Sequence, residues 1–215
     1  MSLLEYMQRN ADRITLLTVA HVQLVLLSVA IATAIGVGLG LGTERFPRLR
    51  RALLSFTGTL LTLPSFALFG LLIPILGLGV APAIVALTMY AVFPILRNTV
   101  TGLEGVDPAV VDAARGMGMS SRERLRLVRL PLAWPVILNG IRVATIMLVA
   151  IAAIGAAVRG PGLGELIFRG LARIGGANAL NEALSGVVGV VLVALVLDVA
   201  FLIVGKLTTP RGLRG

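Results

Sequence analysis

The chain has 215 residues, of which 57% are hydrophobic and only 13% are charged, and its mean hydropathy is +0.99. This composition excludes a soluble globular domain, in which about a quarter of the residues are charged, and indicates an integral membrane protein. The net charge of +9 does not indicate nucleic-acid binding, because the basic residues lie at the edges of apolar runs without interleaved aromatic side chains.

Four long stretches of the chain contain no Asp, Glu, Lys or Arg, namely 14–43, 52–96, 143–158 and 183–197. A bilayer core about 30 Å thick needs about 20 apolar residues per helix, so the run 52–96 is long enough for two crossings. Glycine and proline residues over 77–82 mark the turn between these two crossings. The sequence therefore predicts an all-α polytopic membrane protein, with one transmembrane domain over 1–215 and spans at about 14–42, 52–76, 82–101, 133–158 and 183–206.

The basic residues predict the orientation of these spans. If the segments 43–51 and 97–131 and the tail after 205 are cytoplasmic, they hold 13 of the 19 basic residues, the last two being Arg211 and Arg214. The positive-inside rule then places the N-terminus outside and the C-terminus inside the cytoplasmic membrane.

The first two spans contain residues with special backbone properties. Glycines at 36, 38, 40 and 42 predict close helix packing, and the single histidine, His21, is expected to pack between helices. Pro64 and Pro74 predict a broken helix, whose freed carbonyls must line a cavity or pack against a neighbour. The segment Pro64, Ser65 and Phe66 is therefore a candidate gate, with a purely structural kink as the alternative.

Two charges lie inside predicted spans, Arg142 in the fourth and Asp198 in the fifth. At about 1.5 Å per residue, both lie at a similar depth from the cytoplasmic side. Because an unpaired charge in a membrane is costly, we expect them to form a buried charge pair; a role in the solute pathway and extension of the side chains to the interface are the alternatives. Trp134 is expected to be an interface anchor.

The polar segment between the third and fourth spans, 102–131, has the signals of two short helices. Asp107 and Pro108 are typical of an N-cap and first helical residue, and the glycines at 116 and 118 are expected to end that helix. Ser120 and Glu123 predict a capping box for a second helix, which is expected to stop before Pro131.

The spacing within this segment resembles the permease loop of binding-protein-dependent ABC importers. That loop follows Glu-Ala-Ala, three residues, Gly, nine residues, Ile-x-Leu-Pro, and here Asp112-Ala113-Ala114, Gly118 and Val128-Arg129-Leu130-Pro131 stand at the same spacing. Asp for Glu and Val for Ile are the two departures. Further segments within 58–170 resemble the permeases of the osmoprotectant family, which import glycine betaine, carnitine or choline; they include Pro64–Pro74, Pro94–Thr99, Gly140–Thr145 and Gly162–Gly170.

The resemblance implies the type I importer permease fold and a division of labour between chains. Two permease chains, either identical or similar, form the pore; two cytoplasmic ATPase subunits bind the ATP; and an extracytoplasmic binding protein delivers the solute. The chain itself is then expected to be no enzyme and to hold no cofactor or metal. The residues expected to couple it to the ATPase are Asp112, Ala113, Ala114, Arg115, Gly116, Gly118, Val128, Leu130 and Pro131.

Other functions remain open on the sequence. The same architecture could import another small solute, such as an amino acid or a sulfonate. A passive channel would have no use for an ATPase-docking loop. An intramembrane serine protease would need a Gly-x-Ser-Gly segment and a suitably placed histidine, but Ala183 precedes Ser185-Gly186 where the first glycine should stand. The absence of cysteine also excludes a cysteine nucleophile.

Overall fold

The structure is a computed structural model, and it describes residues 1–209. Long helices dominate it, because a backbone that crosses a bilayer must satisfy its own hydrogen bonds. No strand occurs within 1–209, where the α-helices are α1 (Leu3–Arg9), α2 (Ala11–Gly42), α3 (Pro47–Leu60), α4 (Ser65–Leu76), α5 (Val80–Glu104), α6 (Pro108–Gly116), α7 (Ser121–Glu123), α8 (Leu130–Ile154), α9 (Gly164–Ala172) and α10 (Ala179–Thr208). A π-helical segment, Arg124–Arg129, joins α7 to α8, and a 3₁₀ turn, Gly155–Val158, follows α8.

Four of the five predicted spans coincide with helices that are long and apolar enough to cross a membrane. They are α2, α5, the continuous helix Ser121–Val158 and α10, and each is longer than the span predicted for it. Arg97, which the orientation prediction places in the cytoplasmic segment 97–131, lies inside α5, seven residues before the helix ends at Glu104. The predicted cytoplasmic residues Arg211 and Arg214 lie outside the described residues.

The second predicted span, 52–76, is not one straight helix. It divides into α3 and α4, whose axes differ by 98°. Pro64 lacks an N–H group and disfavours a helical conformation at Leu63, so the break falls where the proline predicts it. The Tyr90 hydroxyl of α5 donates a hydrogen bond of 2.7 Å to the Leu63 carbonyl oxygen. A neighbouring helix therefore satisfies a carbonyl group at the break.

Helix α5 packs most extensively against α2 and α8. Glycine allows the close approach: a Cβ atom on Gly40 would lie 2.5 Å from Cγ2 of Thr99, and one on Gly140 would lie 2.5 Å from Cβ of Asn98. Both distances are too short for real atoms, so any side chain at Gly40 or Gly140 would push the helices apart. Close packing of this kind holds membrane helices together because lipid tails give them no hydrophobic drive to associate.

The glycine stripe of α2 is only partly used in this packing. Gly36 and Gly40 face α5, whereas a Cβ atom on Gly38 or Gly42 would meet nothing within 4 Å. The predicted close packing is therefore confirmed for two of the four glycines.

His21 and Trp134 both join helices. His21 is fully buried, and its Nε2 lies 3.1 Å from the Val149 carbonyl oxygen of α8, as expected of a packing residue. Trp134 of α8 donates from Nε1 to the hydroxyl of Thr208 at 2.8 Å, which joins α8 to the end of α10. Interface anchoring of Trp134 stays a prediction.

We call the end of the bundle that carries 102–131 the loop end, and the opposite end the far end. At the far end, an ion-pair network that the sequence analysis missed joins α2, α9 and α10. The Glu182 side chain is only 7% exposed; its Oε1 lies 3.2 Å from Nη1 of Arg13 and 3.5 Å from Nε of Arg169. Glu165 accepts from Arg13 at 3.0 Å and from Arg169 at 3.3 Å. The network thus holds α9, a helix not predicted, onto α2 and α10.

Arg142 and Asp198 are paired, as predicted. Nε of Arg142 donates to Oδ1 of Asp198 at 2.6 Å and Nη2 donates to Oδ2 at 2.9 Å, a bidentate arrangement that joins α8 to α10. The pair is not buried within the chain, because the side chains are 31% and 26% exposed. It lies beside a groove of about 230 Å³ between the two helices. Its exposed side therefore faces lipid or another protein chain.

We expect Arg142→Leu and Asp198→Leu each to lower the thermal unfolding temperature of the purified protein by a few degrees, because each leaves one charge without its partner. The double variant should recover part of the loss, since no unpaired charge remains. Differential scanning fluorimetry of the four proteins in one detergent checks this. Strictly additive losses would show that the pairing does not contribute to stability, and a stable double variant that cannot transport would place the pair in the solute pathway.

Candidate functional site: the loop 102–131 and the break between α3 and α4

Helix α6 forms the outer part of the loop. The Asp107 side chain caps it by accepting from the Ala109 N–H at 2.8 Å, and Pro108 fits its first turn, where no N–H donor is needed. Asp112, Ala113, Arg115 and Gly116 are exposed, whereas Ala114 is 2% exposed. One small residue of the Asp-Ala-Ala motif thus faces the rest of the protein, and its neighbours present a free surface.

The elbow after α6 depends on Gly118. Its φ is +84°, a conformation that side chains other than glycine rarely adopt. Met119 N–H donates to the Ala114 carbonyl at 3.2 Å, which closes the helix end. The prediction that the first loop helix ends at the glycines at 116 and 118 is therefore confirmed.

The predicted capping box is also present. The Ser120 hydroxyl accepts from the Glu123 N–H at 3.3 Å, and the Glu123 carboxylate accepts from the Ser120 N–H at 2.7 Å. These hydrogen bonds, with the Ser120 side chain as the larger cause, hold the pKa of Glu123 below its usual value. The carboxylate is thus charged at neutral pH, and the start of α7 is fixed.

The second loop helix does not stop before Pro131, so that prediction is wrong. A proline inside an α-helix collides with the carbonyl four residues earlier, which here belongs to Leu127. Leu127 lies in the π-helical segment Arg124–Arg129, which is wider than an α-helical turn and accommodates the ring. The helix therefore continues into α8, and Ser121–Val158 is one uninterrupted helix. Val128 and Leu130 are half-buried in it, and Pro131 is exposed.

Charged contacts attach the loop to the helix ends around it. Arg129 forms an ion pair with Glu44, after α2, and donates from Nη2 to the Leu103 carbonyl of α5 at 3.0 Å. Arg50 of α3 lies 2.7 Å from the carboxylate of Glu104 at the end of α5. The loop end is thus tied to α2, α3 and α5 as well as to α8. The sequence analysis did not predict these ion pairs. The one sign of them in the sequence is the single acidic residues that stand at the edges of arginine-rich segments.

Pro64, Ser65 and Phe66 stand at the break between α3 and α4. Pro64 and Phe66 are exposed, Phe66 by 63%, and Ser65 is half-buried. Within 1–209, none of their side chains forms a hydrogen bond or ion pair with the loop or with the pair on α8 and α10. The structure therefore keeps three candidate groups apart: the loop at one end, the break on α3 and α4, and the charge pair on the outer surface.

No group of three or more His, Asp or Glu side chains within 1–209 is arranged to hold a metal ion.

A family model described as "binding-protein-dependent transport system inner membrane component" matches residues 32–211 of the chain. The glycine betaine/carnitine/choline transport system permease protein OpuCB of Bacillus subtilis (strain 168) is 36% identical over 213 residues, which cover 99% of this chain and 96% of the relative. The osmoprotectant import permease protein OsmW of Salmonella typhimurium (strain LT2) is 39% identical over 219 residues, covering both chains completely.

Solved structures with the same fold include the MetNI methionine ABC transporter in an inward-facing conformation, at a TM-score of 0.80 and 24% identity over 92% of this chain and 96% of that one. An amino acid ABC transporter with histidines matches at a TM-score of 0.71 and 18% identity, over 96% of this chain and 97% of that one. At these identities the likeness concerns the fold alone. The full-length relatives and the family model show that the chain belongs to the inner membrane components of binding-protein-dependent transport systems and is a permease subunit of an ABC importer, not an enzyme.

Proposed function

We propose that this permease imports a quaternary-amine osmoprotectant, such as glycine betaine, carnitine or choline, and couples its movement to ATP hydrolysis by a separate ATPase. The solute class is supported by the relatives, whose names specify these solutes and whose similarity extends over the whole chain. The observation that carries the coupling role is the exposed helix α6, held on a loop that is tied to several helices at once.

In the proposed mechanism, α6 lies in a groove on the ATPase. The exposed residues Asp112, Ala113, Arg115 and Gly116 would contact it, and Gly118 would set the angle of the elbow. Val128, Leu130 and Pro131 would transmit the movement into α8 because they lie on the same continuous helix. In this mechanism the separate ATPase subunits bind the ATP.

Residues 1–215 are proposed to form one permease domain in the cytoplasmic membrane, with the N-terminus outside and the C-terminus inside. The exposed arginines at the loop end, including Arg45, Arg48, Arg115, Arg122 and Arg126, support this orientation under the positive-inside rule. The far end would then meet the extracytoplasmic solute-binding protein. Pro64, Ser65 and Phe66 are proposed as part of the gate, since α3 and α4 are the one pair of apolar helices within 1–209 that is sharply bent at a short break.

Two permease chains are proposed to form the pore, with two identical copies favoured over two similar ones. Large apolar side chains exposed along α4 and α10, including Leu71, Ile75, Val196 and Leu207, form a surface that either lipid or a second permease chain can cover. A two-fold pair also matches the symmetry of an ATPase dimer.

We expect Gly118→Asp and Asp112→Lys to lower ATP-driven uptake at least tenfold while leaving the protein inserted and folded, because Asp112 is exposed on α6 and Gly118 is exposed on the elbow after it. Uptake, thermal stability and copurification of the ATPase are measured together. Arg48→Gln is the control, because like Gly118→Asp it makes the charge more negative by one and Arg48 is an exposed residue of α3 outside the loop. Normal uptake together with normal ATPase binding in both variants would contradict the docking role of the loop.

The solute class is tested with the complete transporter, consisting of the permease, its ATPase and its binding protein, in cells without other osmoprotectant importers. We expect ATP-dependent uptake of at least one of radiolabelled glycine betaine, carnitine and choline, and none of methionine. Uptake of methionine without any quaternary amine would assign the chain to the alternative solute class.

The oligomeric state is tested by native mass spectrometry of the purified complex of permease and ATPase. We expect two permease copies for every two ATPase subunits. A complex with one permease copy, two ATPase subunits and no second permease would contradict the proposed pair.

A further inference from the structure

The inference concerns a groove of about 630 Å³ between α3 and α5, and it rests on the proposed function. Three exposed hydroxyl side chains line one wall: Ser55 and Thr59 of α3, and Thr62 in the turn after it. From α5 the groove is lined by Phe93, Arg97 and Thr101. The groove thus carries hydroxyl groups on one wall and a guanidinium group on the other.

Arg97 is the unusual member of this set. It is exposed and lies two turns inside α5, about 10 Å before the helix end. It makes no hydrogen bond or ion pair with any residue in 1–209; its one close aromatic contact is Phe93, whose ring centroid lies 6.0 Å from the guanidinium carbon. The neighbouring acid in the groove, Glu104, is already paired with Arg50 at 2.7 Å. Arg97 therefore presents a free positive charge to the groove.

A free charge and a row of hydroxyl groups at this depth indicate which space the groove faces. Ionisable side chains in membrane-spanning helices face a protein interior or a water-filled cavity, because contact with lipid tails is costly. The groove also continues to the break, since Thr62 lies two residues before Pro64. The polar walls and the candidate gate therefore form one path along α3.

The guanidinium group of Arg97 indicates which kind of ligand the groove can bind. Its planar fork matches a carboxylate and donates two parallel hydrogen bonds to it. The hydroxyl groups of Thr59 and Thr62 already donate to the carbonyl oxygens of Ser55 and Thr59, at 2.9 Å and 2.7 Å, so the guanidinium group supplies the main contact. A single such contact would bind a solute without trapping it, as a pathway requires. We propose that the α3–α5 groove is a wall of the solute pathway and that Arg97 is a transient binding point for the carboxylate of a zwitterionic solute.

Uptake by the complete reconstituted transporter tests the role of Arg97. We expect Arg97→Gln to lower the uptake rate of glycine betaine or carnitine at least tenfold and to leave choline, which has no carboxylate, within twofold. Arg97→Lys should retain more uptake than Arg97→Gln because it keeps the charge. Arg48→Gln is the matched control, since Arg48 is an exposed arginine of α3 outside the groove.

Several results would overturn the inference. If Arg97→Gln lowers the uptake of carboxylate-bearing solutes and of choline equally, Arg97 has a structural role. If uptake by Arg97→Gln is unaffected, Arg97 has no role in transport. If the wild-type transporter moves choline alone, no transported solute has a carboxylate for Arg97 to bind. The proposed function fails differently, through a wild-type transporter that moves no quaternary amine.

Thiol labelling tests whether the groove is open to water, and it requires neither transport nor an Arg97 variant. An introduced cysteine is the only thiol that can react, because the chain contains no cysteine. We expect Thr59→Cys to react with a membrane-impermeant maleimide at least tenfold faster than Phe56→Cys, whose side chain is 63% exposed on α3 outside the groove. Equally slow reaction at both positions would show that the groove faces lipid.

Discussion

The close approach of α5 to α2 and α8 is the constraint on which the other features of this permease depend. In a bilayer, helices gain little by hiding apolar surface from one another, so contact between backbones must supply the association. Gly40 and Gly140 provide that contact, since an added Cβ at either would lie 2.5 Å from its neighbour. With α5 fixed in this way, Glu104 meets Arg50 at the loop end, and Tyr90 reaches the carbonyl at the break.

Charged contacts then decide how each end of the bundle is held. At the loop end, Arg129 connects Glu44 and the backbone of α5 to the start of α8. At the far end, Glu182 forms ion pairs with Arg13 of α2 and Arg169 of α9. These contacts lie at the ends of the spanning helices, where a charge costs less than at the middle of a span, and they fix elements that helix packing alone would leave loose.

Much of this fold could be predicted from the sequence because a bilayer permits few solutions. Charge-free runs that cross a bilayer must be helices. Arg142 and Asp198 lie at a similar depth, and pairing removes the cost of leaving either charge alone in the membrane. Within the loop, the caps at Asp107 and Ser120 act over three residues, so their local sequence was sufficient.

The predictions failed where the outcome depends on longer-range geometry. Pro131 signals a helix end, but the π-helical segment before it makes room for the ring. Pro64 signals a break, but it does not specify the angle of 98° between α3 and α4. Arg97 looks like a loop residue beside an apolar run, and only the full length of α5 places it inside the helix. Glu182 shows no partner in the sequence, because Arg13 is 169 residues away.

The continuity of Ser121–Val158 has a mechanical consequence. At about 1.5 Å per residue, these 38 residues form a rod roughly 55 Å long. Gly140, near its midpoint, packs closely against Asn98 of α5 and would be the pivot of any tilt of the helix as one body. A rod held at its middle moves its two ends in opposite directions, so a push that tilts the Ser121 end toward the bundle axis would swing the Val158 end away from it. A single helix can thus close one side of a membrane while opening the other, with no hinge in between.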